Sequence, residues 1–333
     1  MLILKQSEVE QILAGRETQI IALVRQAYLT HARGESSLPH SLFLRFPQDP
    51  GDRIIALPVY LQGEEPRAGV KWVASFPRNH ERGLPRASAV IVLNSAETGF
   101  PMAILEGSMI SARRTAASAA LAVDLLSSAF DAIGIVGAGV IAFETLRFIA
   151  VSRSNLRQTA IKVFDVDRRR ASQFAERCDT AFESASVRLA RNLEEALECP
   201  VVVLATSTAA PYVPPATRFL PGTTVIHLSL RDLPPELLVR HVNIVDDLDH
   251  VVREQTSVHL ARLMTGNTDF VRGTIAEVAS SKLKPRVVPS DTVIFSPFGL
   301  GILDLALSRM IVEEATRLRL GFEMPDFFSA PSI

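Results

Sequence analysis

Cysteine is almost missing from this chain: Cys178 and Cys199 are its only two in 333 residues, and they form no Cys-x-x-Cys pair. That excludes a disulfide scaffold and a zinc finger, and fits free or buried thiols in a reducing compartment. A dominant charge is missing too. The net charge is −1 and there is no long basic block, which excludes nucleic acid or an anionic membrane as the main partner. No stretch approaches the roughly 18 uncharged apolar residues of a membrane span. The opening "MLILKQSEVEQIL" has too short an apolar run, and charge too early, for a signal peptide. A cytoplasmic location is expected.

What is present is a globular composition, with 47% hydrophobic and 21% charged residues. A chain of 333 residues predicts two domains, since one core rarely grows past about 250–300 residues. "LILK" reads as a strand, and Ser7-x-x-Glu10 as a capping box that opens a helix. A second helix is expected from Arg16 to about Arg33. "HSLFLRF", "RIIALPVYL", "GVKWVASF", "RASAVIVLN" and "PMAILEG" are strand-like, separated by turn-rich spacers such as "PQDPGD". At Ser108 an Ala-rich helix begins, with the serine as its cap. Beyond it, "AIGIVGA", "AIKVFDV", "PVVVLATS", "TVIHLSL" and "HVNIVDD" alternate with helical or polar segments, the pattern of a doubly wound parallel sheet. One more strand and a long helix close the chain.

The strongest motif lies in mid-chain. Gly137-x-Gly139-x-x-Ala142 follows a strand and opens a helix. Gly137 permits the tight turn, Gly139 admits a pyrophosphate, and Ala142 lets helix and strand pack closely. The backbone from Gly137 through Ala138, Gly139, Val140 and Ile141 is the expected phosphate cradle. Asp165, at the end of the next strand, is placed to accept hydrogen bonds from an adenosine ribose and to repel a 2′-phosphate. NAD is therefore the expected cofactor. Arg168-Arg169-Arg170 keeps NADP as the alternative, although the run also reads as a solvated first helical turn. "HVNIVDDLDH" is read as a strand ending in a solvated acidic loop, and no metal is expected.

Taken in order, "GVKWVASFPRN", "GLPRASAVIVLNSAETGFPMAILEG", "ARRTAAS", "GIVGAG", "LSLRDLPPEL" and "FSPFGLGILDLAL" resemble the ornithine cyclodeaminase / mu-crystallin family over nearly the whole chain. "PHSLFLRFP", "RASAVIVLN" and "SLRDL" are most similar to the branch that makes 2,3-diaminopropionate. Those enzymes oxidise N-((2S)-2-amino-2-carboxyethyl)-L-glutamate with NAD and hydrolyse the imine to diaminopropionate and 2-oxoglutarate, for siderophore or peptide natural products. The resemblance implies an α/β architecture: a Rossmann dinucleotide domain, 121–303, inserted into an α+β substrate and dimerisation domain, 1–120 with 304–333. It also implies a homodimer with the active site in the cleft. That insertion accounts for a nucleotide turn so far from the N-terminus.

By the same resemblance Lys71 is the active-site lysine, Arg114 grips a substrate carboxylate, and Asp232 is the acid or base at the reacting centre. The chemistry needs such groups. A carboxylate suits a guanidinium fork. Hydride leaves an α-carbon only as the nitrogen electrons form an imine, so a base must keep that nitrogen neutral. Sequence leaves the division of roles between Lys71 and Asp232 open. Arg113 and Arg114 are adjacent on a helix, so at most one is expected at the site. Arg86 and Arg231 stand where the ornithine-using enzymes carry threonine and glycine, and the added cations fit a substrate with three carboxylates. His40 or Arg45 is the expected counterpart of a further family arginine. Thr115, Thr206, Ser207, Ser229 and Gly299, in the turn at 296–299, are expected near the dinucleotide. The remaining alternatives are an ornithine cyclodeaminase, a ketimine reductase, or a crystallin-like protein that binds a dinucleotide without turnover.

Overall fold

The computed structural model describes residues 1–63, 66–153, 159–182 and 186–328. The chain divides into two compact units, Met1–Arg114 with the residues from Leu300 onward, and Thr115–Gly299. In chain order the first unit contains β1 (Leu2–Leu4), α1 (Gln6–Leu13), α2 (Glu17–Ala32), β2 (Ser36–Ser37), β3 (Leu42–Phe46), β4 (Asp49–Leu61), β5 (Arg67–Ser75), β6 (Ala87–Ser95) and β7 (Pro101–Glu106). The division falls inside α3 (Ser108–Leu126).

The second unit continues with β8 (Ala132–Val136), α4 (Val140–Ser152), β9 (Ala160–Phe164), α5 (Arg168–Ala181), β10 (Ser186–Leu189), α6 (Leu193–Leu197) and β11 (Val201–Leu204). It goes on through β12 (Thr224–His227), α7 (Pro235–Arg240), β13 (Val242–Val245), α8 (Leu248–Val251), α9 (Ser257–Thr265), β14 (Val271–Thr274), α10 (Ile275–Ala279) and β15 (Val293–Ser296). The chain then returns to the first unit as α11 (Gly301–Leu318) and β16 (Phe322–Glu323).

The first unit is built on a mixed sheet in the order β16-β1-β7-β6-β5-β4-β2, with β3 paired to β4. Strand alternation gives it two chemically different faces. Ile91, Leu93 and Leu105 are buried on one face, and α11 lies against β4, β5 and α2. The opposite face stays apolar and open. Leu42, Ala56, Trp72 and Val90 are successive cross-strand partners, and all but Ala56 are exposed.

The second unit is a parallel sheet in the order β10-β9-β8-β11-β12-β15-β13-β14. Its order reverses between β8 and β11, and ligands of open α/β sheets bind at the carboxyl ends of strands flanking such a switch point. The expected doubly wound sheet is present. Two glycines are required by contact. A Cβ on Gly134 would lie 1.7 Å from the Ala196 carbonyl oxygen, so only glycine lets α6 pack on β8. Gly137 has φ +95°, and its Cβ would meet the Ala205 oxygen at 2.6 Å.

Local expectations differ from the structure in three places. α1 starts at Gln6, and Glu8 rather than Glu10 accepts the N-terminal N–H, that of Lys5. At α3 it is the Glu106 carboxylate, not the Ser108 hydroxyl, that takes the first N–H groups, those of Ser108 and Met109. An acid two residues ahead offers two oxygens and charge to the helix dipole, which outcompetes a hydroxyl. The segment read as the spacer "PQDPGD" shrinks to a tight turn, because β4 already begins at Asp49 and pairs back on β3. Among the described residues, no helix is long and apolar enough to cross a membrane.

Candidate active site

In the first unit, strand alternation and the returning helix α11 assemble a buried charge cluster. On β5, Lys71 shares a face with Val73 and Ser75 and is buried, while Trp72 on the other face is exposed. Lys71 Nζ donates to Asp304 Oδ2 at 2.6 Å and to Ser111 Oγ at 3.3 Å. From α3, Arg114 Nε donates to Asp304 Oδ1 at 3.3 Å and Nη2 donates to Ser111 Oγ at 3.3 Å. Lys71, Arg114 and Asp304 are all buried. Two cations share one carboxylate, so the cluster keeps one positive charge out of water. Such a charge is costly unless an anion joins it. Burial disfavours the Lys71 ammonium, the Asp304 charge restores part of the loss and Arg114 opposes it; its pKa falls to about 8.

Asp304 was not singled out from the sequence. The available signal was an acid inside "GILDLALS", where Ile302, Leu303, Leu305 and Leu307 are all buried with it. The adjacent arginines separate as a helix demands. Arg113 Nη1 donates to the Leu13 carbonyl at 3.1 Å and lies 3.9 Å from Glu17, away from the Lys71 cluster.

A basic row extends the Lys71 face of the sheet. Arg45 is the cross-strand partner of Arg53, and Arg53 of Ser75. Arg86 Nη1 reaches Ser75 Oγ at 2.9 Å, which brings a third guanidinium to the row. Arg45 also lies 5.2 Å from the centre of the Phe43 ring. Arg53 was missed in the sequence because "RIIALPVYL" reads as a strand whose first residue borders a spacer. His40 is exposed, just before β3.

In the second unit, Gly139 precedes α4, and the space where its Cβ would stand is empty to 4 Å. Val140 and Ile141 carry the first N–H groups of that helix, the ordinary seat of a pyrophosphate. Asp165 Oδ2 accepts from the Ala138 N–H at 2.8 Å and Oδ1 from the Asp167 N–H at 2.9 Å. A cavity beside Asp165 is lined by Phe164, Val166, Arg168, Ala190 and Arg191. An open glycine, a helix N-terminus, an acid at the end of the next strand and an adjoining cavity fit a dinucleotide.

Beyond the carboxyl ends of β11 and β12 lies a second cluster. Asp232 is fully buried. Its Oδ1 accepts from Thr206 Oγ1 at 2.6 Å, and its Oδ2 pairs with His227 Nε2 at 3.1 Å. Ser229 Oγ donates to the Leu204 carbonyl at 3.0 Å and accepts from the Thr206 N–H at 3.1 Å. Burial pushes Asp232 up, but His227, by its hydrogen bond and its charge, together with the neighbouring Ser229 and Thr206 hydroxyls, outweighs it and holds the carboxyl at about 2. Burial and the Asp232 charge push the Tyr212 phenol up, so it stays protonated beside that carboxylate. Neither His227 nor Tyr212 was anticipated. Each reads as a strand or turn residue until the fold is known.

The remaining expected residues are placed as follows. Arg231 Nη2 donates to the Glu254 carbonyl at 2.6 Å, within its own unit. Leu230 beside it has φ +66°, a left-handed conformation that suits the glycine expected there in ornithine-using enzymes. Thr115 is half-buried on α3 and Ser207 is exposed. Gly299 has φ +92°, and its N–H donates to Asp246 Oδ2 at 2.8 Å. That bond corrects the reading of the acidic stretch after β13 as solvated. Asp246 is buried; it also accepts from the N–H groups of Phe298 and Asp247, and burial pushes its carboxyl up against these bonds.

Known proteins resemble this chain over nearly its whole length. The family model described as "Ornithine cyclodeaminase/mu-crystallin family" matches residues 1–318. Alanine dehydrogenase of Archaeoglobus fulgidus is 31% identical, over 98% of each chain. The N-((2S)-2-amino-2-carboxyethyl)-L-glutamate dehydrogenase of Staphylococcus aureus is 27% identical, covering 96% of this chain and 97% of its own. Among solved structures, Thermococcus litoralis Δ1-pyrroline-2-carboxylate reductase with NADH and L-proline superposes with a TM-score of 0.89 at 25% identity, covering 97% of this chain and all of its own. An archaeal alanine dehydrogenase dimer with bound NAD gives 0.88 at 28% identity, covering 98% and 99%. With the match running from the first residue to the end of α11, the chain belongs to the ornithine cyclodeaminase/mu-crystallin family.

Proposed function

We propose that the protein is an NAD-dependent dehydrogenase that oxidises N-((2S)-2-amino-2-carboxyethyl)-L-glutamate and hydrolyses the imine to 2,3-diaminopropionate and 2-oxoglutarate. NAD is the dinucleotide of this chain; when bound it supplies the hydride acceptor. The observation that carries the substrate assignment is the basic row Arg45–Arg53–Ser75, with Arg86 at its end, on the sheet face of the already cationic Lys71–Arg114–Asp304 cluster. Alanine brings one carboxylate and needs only that cluster. A tricarboxylate uses the row as well.

The two protonatable groups divide the work by their environments. Lys71, at about 8, is poised to take the proton of the substrate nitrogen as the C=N bond forms, and to return one when water adds. Asp232, at about 2, is a weak base that stays charged. In this reading its charge stabilises the imine as it forms. Arg114 holds the α-carboxylate by a charge-assisted fork. Arg231, spent on the Glu254 carbonyl, has no part in this reading.

A second copy of the chain covers the open sheet face. Leu42, Trp72 and Val90 are exposed in one apolar row, and the related archaeal alanine dehydrogenase is a dimer. Trp72→Glu should then convert a dimer into a monomer by light scattering.

The assay is NADH formation at fixed NAD with aminocarboxyethyl-glutamate, alanine, ornithine and proline as separate substrates. The tricarboxylate should give the highest kcat/KM. Arg86 is exposed in the free chain and would be desolvated only under a bound substrate; Arg86→Thr should then lower that value by about 10–150-fold, the equivalent of one such charge-assisted bond of about 1.5–3 kcal/mol. Turnover of alanine alone, with Arg86→Thr unchanged, would replace this reading by an alanine dehydrogenase.

A further inference from the structure

We propose that His227 is the positioning residue for Asp232. Its Nε2–H is given to the carboxylate, its Nδ1 accepts from Ser296, and the pair keeps Asp232 ionised and aimed. The inference rests on the reading of Asp232 given above and deepens it.

The imidazole is fully buried, as are Asp232 and Ser296. It sits at the last residue of β12, between its parallel neighbours β11 and β15. Nδ1 is 3.1 Å from Ser296 Oγ, on β15, and Nε2 is 3.1 Å from Asp232 Oδ2, in the turn that follows. Both ring nitrogens are therefore engaged, and the ring cannot rotate without breaking two bonds. The backbone N–H of Asp232 also points at Nε2, at 3.2 Å. That contact suits the opposite tautomer, with Nδ1–H given to Ser296. The two arrangements compete for one nitrogen, and charge decides. A bond from N–H to an ionised carboxylate is about twice as strong as one between neutral partners, and an anion facing a ring lone pair is repelled. While Asp232 is charged, Nε2 holds the hydrogen and the Ser296 hydroxyl donates to Nδ1.

The arrangement has a directional consequence. Thr206 Oγ1 holds Oδ1 at 2.6 Å on the other side of the carboxylate. With donors at both oxygens the carboxylate plane is locked. The groups facing this carboxylate are His227, the hydroxyls of Thr206 and Ser229, and the Tyr212 phenol, which also feels the Asp165 charge. Of these, His227 alone offers an N–H held rigidly by a second bond of its own. An ordinary core histidine would satisfy its nitrogens on backbone carbonyls and leave Asp232 to its hydroxyls.

The test uses full-length protein with NAD bound. Nitrogen-15 NMR of histidine-labelled wild type, with the signal assigned by its loss in His227→Gln, should show the Nε2–H tautomer. His227→Leu should lower kcat by about 10–150-fold, the equivalent of one bond to a charged group. Its KM for substrate and Kd for NAD should stay within twofold, and the loss of stability on acidification that Asp232 carries should set in at a higher pH than in wild type. His227→Gln, which restores an N–H at the Nε2 position, should recover most of kcat. An Nδ1–H signal in wild type, or full turnover in His227→Leu, overturns the proposal. If no amino acid is oxidised by wild type, the substrate reading fails separately, and the tautomer still decides for or against His227.

Discussion

Lys71 Nζ lies 2.6 Å from Asp304 Oδ2, although 233 positions separate the two residues in the chain. Asp304 also holds Arg114, so one carboxylate balances two buried cations. Removing its charge leaves both uncompensated, and Asp304→Asn should cost about 3–5 kcal/mol of stability in urea unfolding. The Asp304 charge raises the Lys71 pKa toward its usual value. Its loss should therefore lower that pKa further, and any surviving activity should appear at a lower pH than in wild type.

In wild type, the oxidation rate should follow the free amine of Lys71. Burial places its pKa at about 8, so log kcat/KM should rise with slope one below that pH and level off above it. Lys71→Met should remove the rise as well as most of the rate. A profile flat from pH 6 to 10 would take the proton transfer away from Lys71.

Asp232 links the proposed activity to acid stability. Its folded pKa is depressed to about 2, so its contribution is present above the usual carboxylate range and is lost as pH falls toward 2. The drop corresponds to about 2 kcal/mol. The stability difference between wild type and Asp232→Asn should shrink by that amount between pH 6 and pH 2. At pH 8 the variant should lose roughly 10²–10⁴ in turnover while NAD affinity barely changes. A variant that keeps its rate would reduce Asp232 to a turn residue.

Asp165, the acid expected to meet the ribose, is held by the N–H groups of Ala138 and Asp167. Asp165→Ser should weaken NAD and improve NADP, since a 2′-phosphate no longer meets an anion and Arg168 lines the adjoining cavity. Fluorescence titration of both cofactors measures the change. Wild type binding NADP more tightly than NAD would contradict the role given to this acid.

Gly137→Ala tests the turn itself. At φ +95° an added Cβ meets the Ala205 carbonyl oxygen at 2.6 Å, and backbone cannot move aside cheaply. Thermal unfolding should begin several degrees lower and NAD binding should be lost. Gly139→Ala, where the space is open, should fold normally and fail only in NAD binding.

Local pattern was enough for the parallel sheet and for the glycine turn that opens α4. Period-two β-branched runs separated by helical segments admit few arrangements, and Gly137, Gly139 and Asp165 are close in the chain. The helix ends were harder. At α3 the cap is an acid preceding the serine, a choice set by which side chain reaches the first N–H groups. The partnerships of charge were not legible at all. Nothing local to "GILDLAL" tells that Asp304 meets Lys71 and Arg114, or that Arg53 pairs across the strands with Ser75 and Arg86 reaches its hydroxyl. Nor does "TVIHLSLRD" tell that His227 turns to Asp232 while Arg231 is drawn to Glu254. Residue type and period are properties of a segment, and sequence determined them. The tertiary structure alone decided which buried charges face each other, because burial and distance between remote segments set both their cost and their pKa.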